Sequence, residues 1–130
     1  MKLRFFYLLI YTKIQENEID RYLKYKEKGM KSFLISGFKV GIVFAANYYS
    51  ELGNYLSEAH PELDLIAIIN DCEKISYRTT RDDVKCSEFA KLFGGGGHQK
   101  ASGSTMAEED RNTIIEHYFK DVKRLENEEI

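Results

Sequence analysis

Residues 63–69 read LDLIAII. One aspartate aside, the run is apolar, which is the pattern of a central strand covered on both faces. Such a strand needs packed layers above and below it, and the flanking sequence supplies helical and strand patterns in alternation. Upstream, residues 50–59 predict a helix with Leu52, Tyr55 and Leu56 inward and Ser50 as its N-cap. Pro61 prevents its continuation. Residues 39–45 read as a buried strand carried by Val40, Ile42, Val43 and Phe44; residues 33–35 read as another, with Ser36-Gly37 as the turn between them. Residues 14–28 form an amphipathic helix with Ile19, Tyr22 and Leu23 on one face, an i,i+4 Asp20–Lys24 pair, and Gly29 at its end.

Downstream, residues 75–79 (ISYRT) alternate and read as the next strand. Asp82 or Asp83 caps a helix over residues 84–92, a short helix starts at His98, and a short strand covers residues 104–106. Residues 110–126 close the pattern as an amphipathic helix with Ile114, Ile115, Tyr118, Phe119, Val122 and Leu125 inward. The fold class is therefore α/β: a single domain with a central, mostly buried mixed sheet flanked by helices.

The 130 residues suit one domain with its own core. A net charge of -2 gives no global basic field, so any phosphate has to be held locally. Cys72 and Cys86 are the only cysteines; with no CxxC and no secreted framework they read as free thiols of a reducing cytoplasm. Zinc held by His60, Cys72, Cys86 and His98 would need a spacing that matches no finger or ribbon. The start, MKLRFFYLLIY, mimics a signal peptide but lacks a small-residue cleavage site, and its apolar run is too short to span a bilayer. It reads as a helix or strand that buries against something, a part outside these residues included; burial in the domain's own core is favoured over contact with a second copy, a homodimer.

Residues 93–103 read FGGGGHQKASG. Glycine gives up more backbone freedom on folding than any other residue, so four in a row imply positive φ values and the close approach of another molecule. Exposed amides in such a turn make an anion-binding concavity, and a helix starting at His98 would add its positive end. GxGxxG fails because Gln99 takes the place of the last glycine, and the P-loop fails around Lys100. A flexible linker would be Gly/Ser-rich over a longer span. His98 is placed to donate to a phosphate or stack on a base, whereas His60 and His117 read as surface or helix-face residues. Arg78 admits two readings, a surface ion pair or a phosphate-binding arginine at a strand end. Arg81, Lys91 and Lys100 add local positive potential.

IDRYLKYKEKG (residues 19–29), YSELGN (49–54), DLIAIIN (64–70), SYRTT (76–80) and DDVKCSEFAKLFGGGGHQKASG (82–103) together resemble the DHH-associated C-terminal domain of DHH-family phosphoesterases. The GGGGH form resembles the branch that holds oligoribonucleases, phosphoadenosine-phosphate phosphatases and cyclic-dinucleotide phosphodiesterases more than RecJ-type exonucleases. The resemblance implies a two-lobed enzyme whose N-terminal lobe binds two manganese ions through an Asp-His-His motif, while the C-terminal lobe grips substrate across a cleft. It implies substrate contact at Arg78, Gly95, Gly96, Gly97 and His98, with Ser76 and Thr79 as neighbours. Thr79 stands where Ser is more usual and Ser102 where a second Ala is common.

No Asp-His-His occurs in these residues, and a two-metal site needs clustered carboxylates and imidazoles. The expectation is a substrate-binding lobe for short single-stranded oligonucleotides or dinucleotides, with no catalytic or metal-ligating residue and no cofactor of its own. Residues 1–30 would be an inter-lobe linker region and residues 31–130 the DHH-associated domain. It would act in the cytoplasm, away from membranes, with a manganese-bearing lobe upstream. The alternative is a stand-alone, non-catalytic nucleic-acid-binding or regulatory module.

Overall fold

The computed structural model describes residues 2–71 and 73–121. Helix α1 (Lys2–Gly29) leads into the hairpin of β1 (Lys31–Ile35) and β2 (Phe38–Phe44). Ser36 and Gly37 both have positive φ, 49° and 86°, the backbone that a two-residue hairpin turn requires. Helix α2 (Tyr49–Ala59) then crosses to β3 (Leu65–Asn70), which is antiparallel to β4 (Lys74–Arg78). Helix α3 (Cys86–Lys91), the two-residue β5 (Gly96–Gly97), β6 (Ala101–Thr105) and α4 (Glu108–Phe119) complete the described chain.

The six strands run in the order β1-β2-β3-β4-β6-β5. Only β2 and β3 are parallel, joined by the α2 crossover; the other pairs are antiparallel. The apolar run at residues 63–69 lies at the centre, with Leu65, Ile66 and Ile68 fully buried. Its alternate side chains feed two cores. Ile66 and Ile68 meet Val43, Leu52, Leu56 and Leu23 beneath α1 and α2. Leu65 and Ala67 meet Val40, Tyr77, Cys86 and Phe89 beneath α3. The central mixed sheet flanked by helices is thus the observed architecture.

Several local expectations need correction. Ser50 is not the N-cap of α2; Tyr48 is, in the left-handed region at φ 57°, and no side chain caps it. Neither Asp82 nor Asp83 caps α3, which begins after Lys85 without a side-chain cap, because both aspartates hold cations instead. Phe44 is exposed at the end of its strand. The segment at the start of α1 does not enter the core: Leu3, Phe6 and Leu8 are more than 60% exposed, and α1 packs only from Ile19 onward. Along α4, Ile114, Ile115, Tyr118 and Phe119 are exposed, for no strand or other helix lies against that stripe among the described residues. Val122 and Leu125 lie outside the described residues.

Candidate functional site

No helix begins at His98. The His98 amide donates to the Ala101 carbonyl at 2.8 Å and the Ala101 amide returns a bond to His98 at 3.3 Å, closing a hairpin between β5 and β6. Strand β6 claims Ala101 as its first residue, which leaves no length for a helical turn. The hairpin tip is anchored: Gln99 accepts from the Cys86 amide at 2.7 Å and donates through Nε2 to the Asp82 carbonyl, and Lys100 pairs with Asp82 at 2.6 Å.

The four glycines have separate reasons. Gly94 and Gly97 adopt φ of 77° and 138°, and a Cβ on Gly95 would collide with the Gly103 carbonyl. Gly96 has neither constraint, and a Cβ there would meet nothing within 4 Å. Their amides do not converge as one cradle. Those of Gly94 and Gly95 are bonded to Lys91 and Ala90 carbonyls. The mutual bonds at the His98–Ala101 pair turn the intervening Gly97 amide toward the outer edge of the sheet, by antiparallel alternation.

Register brings Arg78, Ser76, Gly96 and His98 together on one face of the sheet, whereas Gly97 pairs with Ser102, opposite Tyr77, on the other. Arg78 pairs with Ala101, which pairs with His98; Ser76 pairs with Gly103, which pairs with Gly96. Directly opposed residues share a face. Arg78 and His98 are therefore two strand spacings apart, about 10 Å, with only the methyl of Ala101 between them. Helix α3 covers the opposite face of β5 and β6, while α2 reaches no farther than β4. The result is a floor of Ala101, Gly103 and Gly96, walled by Arg78 and Ser76 on one side and by His98 on the other.

Charge on this floor comes from Arg78. Among the described residues no carboxylate lies within ion-pair distance of it, and its Nε is buried without a hydrogen-bond partner. Its charge acts on the buried Cys86 thiol, which burial pushes up to about 12 while the guanidinium pulls it down. Arg81 and Lys100, expected to add positive potential, are spent. Arg81 binds Asp64 at 2.9 Å and Asp83 at 2.7 Å, its hydrogen bond holding the Asp83 carboxyl below the ordinary value. Thr79 is buried and donates to the Asp64 carbonyl, so it belongs to the scaffold. Gly53, Ala101 and Gly103 escaped the sequence reading as site residues; their signal is smallness, which counts only once register is known.

The two-manganese chemistry implied by the resemblance finds no fit among the described residues, where no three His, Cys, Asp or Glu side chains gather around one point. His60 spreads its two nitrogens apart, Nε2 to Glu27 at 2.7 Å and Nδ1 to Glu62 at 3.3 Å. No helix among the described residues is long and apolar enough to cross a membrane.

No family model matches the chain. Over 108 residues it is 39% identical to oligoribonuclease NrnB of Bacillus subtilis (strain 168), a match that takes in 82% of this chain. The chain is related to the DHH-family oligoribonucleases. It spans about a quarter of the curated relative, 27% of its length. An uncharacterized protein from Helicobacter pylori G27 shares this fold: TM-score 0.55 and 23% identity, over 70% of this chain and 28% of the other.

Proposed function

We propose that this chain is the substrate-binding lobe of a DHH-family phosphoesterase, and that it grips short single-stranded oligonucleotides or dinucleotides on the open sheet face. The observation that carries this reading is Arg78: a guanidinium with no carboxylate partner among the described residues, facing His98 across a floor of small residues. A nucleotide presents an anion and a flat base. Arg78 would take the phosphate with its planar fork of donors. His98 would stack on the base or donate to a second phosphate, the outward Gly97 amide would add a donor, and the bare surface at Gly96 would let the sugar-phosphate chain lie close. Gly95 would contribute by lacking a side chain, its amide being bonded to Ala90. Hydrolysis would occur on metals held by a separate lobe, toward which this face positions the scissile phosphate.

Titration of a fluorescently labelled dinucleotide into the wild-type chain and Arg78→Ala tests the reading. Losing one charge-assisted contact should weaken binding about tenfold or more. It should also lower the slope of log Kd against log salt by about 0.7, the contribution of one phosphate contact on a single strand. Equal affinities and equal slopes would remove Arg78 from the site.

A further inference from the structure

Arg78 is held from above by a residue with no side chain. Gly53 sits in the interior of α2, where glycine is about 1 kcal/mol worse than alanine. The reason for accepting it is the contact below: a Cβ on Gly53 would meet both Cβ and Cγ of Arg78 at 2.5 Å and Cδ at 3.6 Å. The helix backbone therefore rests directly on the methylene stem. That height is fixed. Leu52 and Leu56 on the same helix are fully buried, and Ser57 Oγ accepts from both the amide and the hydroxyl of Thr80 at 2.9 Å, two residues beyond Arg78. Under this clamp the Nε of Arg78 is buried with no partner.

We infer that Gly53 is a positioning residue for the nucleotide site: by letting α2 close onto the Arg78 stem it fixes the guanidinium before ligand arrives. The gain is preorganisation, because a stem already immobilised loses less rotamer freedom on binding. The inference rests on the phosphate-binding reading of Arg78, and the experiment separates the two.

The dinucleotide affinity of the full chain is measured for wild type, Gly53→Ala, Arg78→Ala and the double variant, with a thermal melt of each. Gly53→Ala should weaken binding about as much as Arg78→Ala, roughly tenfold, and should add nothing in the Arg78→Ala background. Loss of binding in Arg78→Ala with wild-type affinity in Gly53→Ala overturns the positioning role and leaves the proposed function standing. A further loss in the double variant also overturns it, since Gly53 would then act through something else. Wild-type affinity in Arg78→Ala overturns the proposed function and this inference together. A second measurement needs no variant: hydrogen exchange of the Arg78 Nε–H by NMR in the wild-type chain. It should be several-fold slower than that of exposed Arg21; equal rates would show that the stem is unclamped and overturn the inference.

Discussion

Arg78 and Arg81 lie three residues apart and meet opposite fates. Arg81 is consumed by Asp64 and Asp83; Arg78 has its stem under a helix and its charge uncommitted among the described residues. SYRTTRDD supplies one partner of Arg81, Asp83, but it does not show that Arg78 is left out, and the second partner, Asp64, comes from just before β3, 17 residues away. The glycines separate in the same way. Gly94, Gly95 and Gly97 are required by the backbone, while Gly96 faces open space. Gly96→Ala should therefore leave the thermal midpoint within about 3 °C of wild type, a shift of less than about 1 kcal/mol in a domain of this size, yet weaken dinucleotide binding several-fold. A variant that melts early would mean that the fold needs this glycine after all. Ser102 offers a converse case. Its hydroxyl is buried with no partner. Leaving such a group unsatisfied costs about 1 kcal/mol or more, so Ser102→Ala should raise stability by about that amount in a denaturant titration.

At the level of elements, local pattern was enough wherever the competing structure was also local. The LDLIAII strand, the Ser36-Gly37 hairpin and the inward Leu23, Leu52 and Leu56 were legible because period and turn chemistry decide them. HQKA was not: it is helix-compatible by composition, but Ala101 pairs with Arg78 on one side and His98 on the other, and those partners are not visible in the segment. The joint between α1 and α2 is similarly non-local. Glu27 accepts from Tyr55 Oη at 2.8 Å and lies 2.7 Å from His60 Nε2, so one carboxylate ties the end of one helix to the end of the other. The Tyr55 hydrogen bond, with His60 adding to it, holds the Glu27 carboxyl below its ordinary value of 4.5. A carboxyl depressed in the folded state stabilises above the unfolded value and stops doing so as pH falls through the folded one. Stability should thus decline below about pH 4.5, and Glu27→Gln should flatten that acid limb while lowering stability at neutral pH by about 1 kcal/mol. Parallel melts of both proteins from pH 3 to 7 would show it; identical acid limbs would assign the decline to other carboxylates.

For the whole molecule, the sheet and its two cores account for the fold, and the first half of α1 stands outside both. An apolar stripe in a sequence announces that a helix wants to be covered, not that its own domain provides the cover. This is why the inward reading of residues 3–11 and of the α4 stripe failed while that of Ile19, Tyr22 and Leu23 held. A chain lacking residues 1–14 should keep its thermal midpoint within about 3 °C, because among the described residues no side chain of that stretch joins either core. A drop of 10 °C or more would show that these residues support the domain.

The proposed floor is built from what its residues lack: two glycines and one alanine, and a Cβ at Gly96 would meet nothing within 4 Å. Mutation can raise such a surface but has almost no way to lower it further. On the proposed function, diversification therefore runs in one direction, each methyl added at 96 or 101 excluding the bulkier ligands first and leaving the smallest accommodated to the end.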